Sequence, residues 1–478
     1  MRIAFVAAEC SPLVKVGGLA DVVGALPKAL VARGHDVRIF MPSYEAIDRQ
    51  RFPSRPTNWR ATVVFDGQPT IVTVYETVLP NSTIPIYQVV WPDEFRGEVY
   101  PLGQDFETLQ SVIRRFMRFS VAVDGLLGTS SWKPDRVHCH DWHTGILPAL
   151  LRARNFPAPT TFTIHNIDIQ GKWNPTEALS WLPVDTTTPP WSLRDTKGDF
   201  NMLQIGIHTA TQVSTVSPTY ASEVVTHEYG AGLAEDLRAT GVVGIVNGID
   251  TDSYNPSTDQ ALYETYDVGS AVAGKASNKA SLQLELGLPV DPSAPLFVNV
   301  GRLVGQKGID LIVPLMERIV AAGGQVAFLG SGFPDIQGAI KAAANRPGVA
   351  ARFEFNAGLG RRLYAGGDFF LMPSRFEPCG LGQLIAMRYG TIPIVRDTGG
   401  LHDTVQDLDA DSDRGVGLRF SEPTVEALWT TIERAFALYR DRQRMALTIQ
   451  RSMSTDSSWY TSADAYIRLY ERQATARR

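Results

Sequence analysis

The sequence has little cysteine. Its 478 residues contain three, Cys10, Cys139 and Cys379. An odd number of cysteines without a C-x-x-C pair does not build the disulfide framework of a secreted protein. We therefore expect a reducing, cytoplasmic environment.

Long apolar runs are also missing, because no stretch approaches the roughly 18–20 residues that a membrane helix needs. The apolar start, Met1–Ala8, is short and is followed by Glu9, Pro12 and Lys15. It predicts a buried strand rather than a signal peptide. The sequence thus indicates no membrane partner.

The chain has no excess of positive charge: 45 Lys and Arg stand against 50 Asp and Glu, a net charge of −5. This balance argues against nucleic-acid binding, which requires a basic surface. With 44% hydrophobic and 20% charged residues, the chain can form the cores of two or three domains.

Alternating strands and helices indicate an α/β fold. The apolar run 3–8, a helix ended by Gly34 and the run 37–41 form a βαβ unit, and therefore a parallel sheet. Further strands are predicted at 137–140, 161–166 and 212–217. The apolar rhythm stops between 250 and 278, and a second series begins, with strands at 295–300, 325–329, 352–355, 369–372 and 391–395 and a helix over 309–319. We expect two domains, 1–250 and 251–455, followed by the segment 456–478.

Two glycine-marked loops follow the first strand of each series. Lys15, Gly17 and Gly18 precede a helix, an arrangement suited to a diphosphate but equally to a simple βα turn. The pattern is not Gly-x-Gly-x-x-Gly, which disfavours NAD. In the second loop, Arg302 and Lys307 could offset the charge of a departing nucleoside diphosphate, or could be ordinary surface cations.

A third loop joins a predicted strand to a helix that begins near Leu381. Backbone N–H groups of Gly380–Gly382 are available to phosphate oxygens. Glu377 is better suited to sugar hydroxyls or to a developing oxocarbenium charge, unless it is only a helix-start acid. Cys379 as a nucleophile is the weaker alternative, because buried cysteines are usually inert.

The segment Val137–His143 contains enough His, Cys and Asp to suggest zinc. Neighbouring residues of a strand point to opposite faces, so few of them could share one ion. We favour sugar contacts by Asp141, Trp142 and His143. His165-Asn166 ends another predicted strand, a position that favours a functional histidine.

Taken in order, these segments closely resemble bacterial glycogen synthases and plant starch synthases from residue 1 to the C-terminus. The matching strings are Lys15–Val23, His140–His143, Thr163–Asn166, Ser214–Ala221, Val246–Asp250, Gly301–Leu303 with Gln306–Gly308, Arg375–Leu381 and Thr398–Leu401.

The resemblance implies the GT-B glycosyltransferase fold, two Rossmann-like domains facing across a deep cleft, with a last helix over Trp459–Arg472 that returns to the first domain. It implies transfer of glucose from ADP-glucose to the non-reducing end of an α-1,4-glucan such as glycogen. The transfer would retain the anomeric configuration and use no metal or other cofactor. Oligomeric state is not predicted.

The resemblance also implies residue roles. The donor diphosphate would be held by Lys15, Gly17, Gly18, Arg302, Lys307, Cys379, Gly380, Leu381 and Gly382. Glu377 would hold the glucose, and His165 would lie beside the anomeric carbon, so that Glu377, His165, Arg302 and Lys307 are the catalytic set. The glucose and acceptor region would comprise Asp21, Tyr100, Asp141, His143, Asn166 and Asn247.

No pair of carboxylates indicates a double displacement, so our hypothesis is front-face attack by the acceptor hydroxyl, with phosphate oxygen taking its proton. Three departures from the family pattern stand out: Gly382 replaces Thr, Ile169 replaces an aromatic residue, and Arg361 replaces His. Alternatives are an inactive glycan-binding homologue, a transferase with another donor or acceptor, and a nucleotide-sugar epimerase. We also expect a hinge within 250–295.

Overall fold

The computed structural model describes residues 1–101, 105–185, 187–344, 346–411 and 413–472. It contains two compact units. The first comprises Met1–Asn247 and the chain from Trp459 onward, and the second comprises Gly248–Ser458. The sequence pattern had placed the divisions after residues 250 and 455.

A nine-stranded sheet forms the centre of the first unit, in the order β11-β10-β7-β6-β1-β2-β5-β4-β3, and β8 pairs with β9 separately. The strands are β1 Arg2–Val6, β2 Asp36–Pro42, β3 Arg55–Phe65, β4 Gln68–Val78, β5 Pro85–Val90, β6 Arg136–His140, β7 Thr160–Ile164, β8 Lys172–Trp173, β9 Phe200–Asn201, β10 Gln212–Thr215 and β11 Val243–Gly244.

The predicted βαβ unit is confirmed, because β1 pairs in parallel with both β2 and β6. Beyond the predicted parallel pairs, the sheet of this unit also contains antiparallel ones. Strand β3 pairs antiparallel with β4, and β4 pairs antiparallel with β5. These strands alternate buried and exposed residues, as expected where a sheet has one solvated face.

Helices pack against this sheet, whose central strands β1, β6 and β7 are buried on both faces. They are α1 Gly18–Ala32, α2 Phe106–Thr129, α3 Leu147–Ala153, α4 Pro175–Ser180, α5 Met202–Thr209, α6 Pro218–Glu223 and α7 Ala234–Thr240. Helix α1 buries the apolar face that its spacing predicts, and Gly34 follows its end with a positive φ of 84°.

A six-stranded sheet forms the centre of the second unit, in the order β14-β13-β12-β15-β16-β17, and all of its pairs are parallel. The strands are β12 Leu296–Val300, β13 Gln325–Leu329, β14 Val349–Arg352, β15 Phe369–Met372, β16 Ile392–Arg396 and β17 Leu418–Phe420.

Strand β14 begins three residues before the predicted run 352–355. Val349 and Ala350 are buried beside β13, whereas Phe355 is 87% exposed. The apolar character of Phe353 and Phe355 therefore misled the prediction, because Phe355 belongs to the loop after the strand.

The helices of the second unit are α8 Ala271–Leu286, α9 Ile309–Ile312, α10 Met316–Ala321, α11 Pro334–Ala343, α12 Ala357–Gly366, α13 Gly382–Arg388, α14 Gly399–Thr404, α15 Val425–Arg440 and α16 Arg442–Ser454. The predicted single helix over 309–319 is broken, since a 3₁₀ turn that contains Pro314 separates α9 from α10.

The segment 250–295 belongs to the second unit, which begins at Gly248, and the hinge expected within it stays a prediction. Arg361 of α12 ties this segment down with bonds to Asp259 Oδ2 at 2.9 Å and to Ser253 Oγ at 3.0 Å. The departure from the family's His thus has a packing role. Helix α8 escaped prediction because its buried face carries polar residues, Lys275, Asn278, Lys279 and Gln283.

The last helix, α17 Trp459–Arg472, covers the span expected of it and packs on α1 of the first unit. Arg33 Nε, just after α1, donates to Asp464 Oδ1 at 2.7 Å. Tyr466 and Tyr470 are fully buried on the inner side of α17. Helix α17 is therefore part of the first unit's core.

Lys275 is a buried lysine of α8 whose ammonium lies within hydrogen-bond distance of four acceptors. Its Nζ donates to the carbonyls of Ala365 and Gly367 at 2.9 Å, to that of Tyr389 at 3.2 Å and to Thr391 Oγ1 at 2.8 Å. Buried carbonyls need such donors, since an unmade bond costs about 1–3 kcal/mol. The lysine thereby fixes α8 to the amino-terminal edge of the sheet.

We expect Lys275→Met to lower the free energy of unfolding by about 3 kcal/mol, because it removes the buried hydrogen bonds that Nζ donates to these acceptors. Urea unfolding followed by circular dichroism measures the change. Lys341→Met, at an exposed lysine of α11, is the control and should have almost no effect. Equal midpoints for the two variants would contradict the bonding role of Lys275.

Candidate active site

Glu9 organises the first glycine-marked loop. It follows β1, is 3% exposed, and its Oε2 accepts hydrogen bonds from the N–H of Val16 at 2.6 Å and of Gly17 at 2.9 Å. Its Oε1 accepts from the Tyr100 hydroxyl at 2.6 Å. Sequence reasoning missed Glu9, although a charged residue directly after a buried strand was a signal for it.

Lys15 and Asp21 form an ion pair, with Nζ 2.7 Å from Oδ1. The first was predicted to bind diphosphate and the second to line the acceptor region. Asp21 lies in the first turn of α1, where a carboxylate is favoured. The structure therefore brings a predicted donor-binding residue and a predicted acceptor residue together.

Asp141 holds the backbone of the next loop. It follows β6 with a φ of 56°, and its Oδ1 accepts from the N–H of His165 at 2.7 Å and of Asn166 at 3.4 Å. Burial raises the pKa of this carboxyl to about 7. In the described structure Asp141 thus acts on the loop that carries His165, a role that the sequence did not reveal.

His165 lies at the end of β7, as predicted, and is half-buried. Burial lowers its pKa to about 3, so its ring is neutral at physiological pH. Its Nε2 is 3.0 Å from Nδ1 of His140. Asn166 follows, and its Oδ1 accepts from the N–H of Asp168 at 3.0 Å, which forms a tight turn.

Aromatic packing surrounds His143. Its ring centroid lies 5.2 Å from Tyr100, 4.6 Å from Phe116 and 4.3 Å from Trp142. Burial lowers the His143 pKa to about 3. Trp142 is only 5% exposed, so the sugar contact expected of its ring is not available.

Asn247 and Ile169 complete the predicted set in the first unit. Asn247 is the last residue of its main segment and is buried. Ile169, at the position of a family aromatic residue, is 57% exposed on the loop after His165.

In the second unit, two loops at the carboxyl ends of β12 and β15 form one structure. Gln306 Nε2 donates to the Phe376 carbonyl at 3.1 Å, and Arg375 N–H donates to the Gln306 carbonyl at 2.8 Å. Gly308 has a φ of 66°, and a Cβ there would lie 2.0 Å from the carbonyl oxygen of Pro373. Glycine is therefore required for the close approach.

These joined loops place Lys307 on Glu377. Lys307 Nζ is 2.6 Å from Glu377 Oε2, which also accepts from Ser374 Oγ at 2.9 Å. The Glu377 side chain is 7% exposed and that of Lys307 is 21% exposed. Arg302 is exposed in the same loop and reaches Gln306 Oε1 at 3.4 Å. Three of the four predicted catalytic residues are thus brought together.

The loop after Glu377 is tightly packed. The Gly400 N–H donates to the Glu377 carbonyl at 3.0 Å, and a Cβ on Gly400 would lie 2.3 Å from Cα of Cys379. Cys379 is buried, and Gly380 has a φ of 76°. Leu381 precedes α13, which begins at Gly382 as predicted.

Gly382 is explained by its neighbours. A Cβ there would lie 2.8 Å from Cζ of Phe370 and 3.4 Å from the Tyr364 hydroxyl. Phe370 is buried in β15, so its ring fills the space that the family's Thr would need. The departure from Thr therefore follows from packing.

Two exposed aromatic residues flank the carboxyl edge of this sheet. Phe333 follows β13 and is 58% exposed, and Phe355 follows β14 and is 87% exposed. The Phe333 N–H donates to the carbonyl of Leu303 at 3.0 Å, which places Phe333 beside the Arg302 loop. Sequence reasoning missed both residues as site candidates because apolar residues suggest burial.

In the described segments, no group of three or more His, Cys, Asp or Glu side chains is arranged to hold a metal ion. No helix in the described part of the chain is long and apolar enough to cross a membrane.

Comparisons with known proteins agree with this architecture. The family model described as the starch synthase catalytic domain matches residues 2–239, and that described as glycosyl transferases group 1 matches residues 294–437. Glycogen synthase 2 of Geobacter sulfurreducens is 40% identical, with 100% of both chains covered. Glycogen synthase 1 of Synechocystis sp. is 41% identical, with 98% of this chain and 95% of the relative covered.

Solved structures agree as well. The catalytic domain of starch synthase IV from Arabidopsis thaliana, bound to ADP and acarbose, superposes with a TM-score of 0.90 at 35% identity, covering 99% of each chain. Sucrose-phosphate synthase from Thermosynechococcus elongatus has a TM-score of 0.61 at 19% identity over 100% of both chains, and shares the fold alone.

Two Rossmann-like α/β units with cationic, glycine-marked loops define a glycosyltransferase of the GT-B fold. The chain belongs to the glycogen synthase and starch synthase family, glycosyltransferase family 5. The sequence-based prediction of fold, family and enzyme class is confirmed.

Asp141 gives a test of loop anchoring. Its pKa of about 7 exceeds the ordinary value of about 3.9, so between these pH values the folded state binds more protons than the unfolded state. Its contribution to stability therefore falls as pH rises through this window. Asn at this position can still accept from the His165 N–H but does not ionise.

The quantity to compare is the free energy of unfolding of Asp141→Asn minus that of the unchanged protein. We expect this difference to increase by about 3 kcal/mol from pH 5 to pH 8. Urea midpoints at the two pH values measure it. Asp335→Asn, at an exposed aspartate of α11, is the matched control. If the difference in free energy of unfolding between Asp141→Asn and the unchanged protein is equal at both pH values, the raised pKa of the buried Asp141 carboxyl is contradicted.

Gly382 gives a packing test. We expect Gly382→Thr to lower the free energy of unfolding by about 1–3 kcal/mol, because the side chain meets the Phe370 ring. Adding Phe370→Leu should recover part of that loss, and a double-mutant cycle measures the coupling. If the two substitutions have additive effects, or if Gly382→Thr leaves the free energy of unfolding unchanged, then packing against Phe370 is not the reason for glycine at position 382.

Proposed function

We propose that the chain transfers glucose from ADP-glucose to the non-reducing end of an α-1,4-glucan such as glycogen, with retention of configuration. Relatives named glycogen synthase match the whole chain at about 40% identity, and a starch synthase bound to ADP and acarbose shares its fold. The observation that carries the proposal is the Lys307–Glu377 pair beside Arg302.

The donor diphosphate is bound, in this proposal, by the cations Arg302, Lys307 and Lys15 and by backbone N–H groups of Gly380–Gly382. Arg can grip phosphate oxygens with two parallel bonds, and Lys adds a compact charge. Three positive groups offset the charge that develops on the departing diphosphate. We therefore propose that no metal or other cofactor takes part.

The Glu377 carboxylate holds the glucose in this proposal. Its orientation is fixed by Ser374 and Lys307, and the Gly400 N–H holds its backbone, so it can receive sugar hydroxyls without rearranging. The acceptor hydroxyl attacks on the face from which the diphosphate departs. Its proton passes to a phosphate oxygen, and the neutral His165 stabilises the sugar beside the reacting carbon.

The adenine base needs an apolar surface, and Phe355 supplies one. Its ring is 87% exposed at the carboxyl edge of the sheet, although exposure of a large aromatic residue is unfavourable without a partner. Base-to-aromatic stacking contributes about 1–3 kcal/mol per base. Stacking of this kind would anchor the nucleoside.

The glucan and the transferred glucose meet residues of the first unit in this proposal. Asp21, Tyr100 and Asn166 have polar groups near the loops that carry Lys15 and His165. Asp141 and His143 are buried and support these loops, and Asn247 is placed here by the family resemblance alone. No disulfide joins the three buried cysteines, which fits a reducing compartment, and we place the reaction in the cytoplasm.

Incorporation of labelled glucose into glycogen tests the proposal, with ADP-glucose and UDP-glucose compared side by side. We expect ADP-glucose to be the better donor. Glu377→Ala should lower the rate at least about 100-fold, because it removes a preorganised charge from the reacting sugar. Glu433→Ala, at an exposed glutamate of α15, is the matched control and should leave the rate unchanged.

Failure to incorporate glucose from either donor would contradict the proposed reaction. Incorporation from UDP-glucose alone would contradict the donor. A glucosyl ester trapped on any Asp or Glu would contradict front-face attack in favour of a double displacement.

A further inference from the structure

Two buried histidines of β6 connect His165 to the core of the first unit. His138 and His140 lie on one face of the strand, both fully buried, with ring centroids 4.1 Å apart. His140 Nδ1 lies 3.0 Å from Nε2 of His165. The segment that had suggested a zinc site therefore supplies two rings of a row of three imidazoles, and His165 is the third.

His138 is fixed at both nitrogens. Its Nε2 is 2.6 Å from Thr163 Oγ1, and its Nδ1 is 2.8 Å from the Tyr470 hydroxyl of α17. Thr163 Oγ1 continues to Ser214 Oγ at 2.7 Å. Because His138 is held on both sides and stacks on His140, the last helix of the chain helps to hold the His140 ring in place.

The second ring nitrogen of His140, Nε2, indicates where the proton of this ring lies. Its Nε2 is buried, and the described residues provide no hydrogen-bond partner for it. A neutral imidazole carries one N–H, and a buried N–H without an acceptor is both rare and costly. The proton of His140 therefore belongs on Nδ1, where the Nε2 lone pair of His165 receives it.

We propose that His140 is a positioning residue that donates from Nδ1–H to Nε2 of His165, so that His165 is held as the tautomer protonated on Nδ1. His165 then offers a hydrogen-bond donor, and no acceptor, from its other nitrogen. The hydrogen-bond assignment stands on geometry alone. Its consequence for glucose transfer rests on the proposed function.

The charge state of the row agrees with this assignment. Burial lowers the pKa of His138 and His140 well below the ordinary range, and that of His165 to about 3. All three rings are neutral at pH 7. Two facing nitrogens at 3.0 Å then share one proton, and a donor–acceptor pair is the only stable arrangement.

The experiment is ¹⁵N NMR of the full chain labelled at histidine, without substrate, because ring nitrogen shifts separate the two neutral tautomers. Loss of a signal in His165→Gln assigns the ring. We expect His165 to carry its proton on Nδ1. A proton on Nε2, or a charged ring at pH 7, overturns the proposal.

Two substitutions of His140 sharpen the test. Phe preserves the ring stack on His138 and removes the donor, so His165 should become a mixture of tautomers. Asn places an amide nitrogen where Nδ1 lies and should restore the Nδ1–H tautomer. Cys139→Ala, between the two histidines on the other face of β6, is the matched control and should leave the spectrum of His165 unchanged.

Kinetics complete the test. We expect His140→Phe to lower kcat about 10-fold, as for one lost hydrogen bond, with KM for ADP-glucose little changed and recovery in His140→Asn. An unaltered kcat in His140→Phe overturns the positioning role. If the unchanged protein transfers no glucose but shows the expected tautomer, the hydrogen-bond assignment stands and the proposed function is the part that fails.

Discussion

Buried carboxylates hold the loops at the carboxyl ends of the strands, and the candidate site depends on them. A buried carboxylate is tolerated only when it accepts hydrogen bonds or pairs with a cation. Glu9 accepts from two backbone N–H groups and Asp141 from two others. Glu377 instead pairs with Lys307 and Ser374. Each carboxylate therefore fixes a loop whose conformation the strand alone would not determine.

The same requirement explains how the site can be both charged and ordered. Lys307 and Glu377 are opposite charges on separate loops, and their contact joins the end of β12 to the end of β15. Such a pair contributes little net stability because desolvation offsets attraction. Its effect is on geometry: a cation suited to phosphate and an anion suited to sugar hydroxyls are held at a fixed separation.

Much of this could be predicted from the sequence, and the reasons for the failures are specific. The βαβ start, the glycine-marked loops and the start of α13 follow from local patterns of apolar residues and glycine. Glu9 was missed because its partners are backbone N–H groups, which no side-chain pattern reveals. Helix α8 was missed because its buried face contains lysine and amide side chains whose acceptors come from distant parts of the chain. Tertiary contacts override local patterns in these cases.

Gly382 shows why a departure from a family pattern is not by itself a loss of function. A Cβ at this position would lie 2.8 Å from Cζ of Phe370, so a side chain there requires the ring to move. Glycine and phenylalanine therefore form one packing solution, and threonine with a smaller residue in β15 would form another. In the proposed donor site, the group that binds phosphate at this position is the backbone N–H at the start of α13, and both solutions keep it. The hydroxyl that threonine would add is a separate contribution, and the buried Tyr364 hydroxyl lies beside the same backbone. Judged by contacts rather than by residue identity, the second unit retains the cations and backbone N–H groups of the proposed diphosphate site.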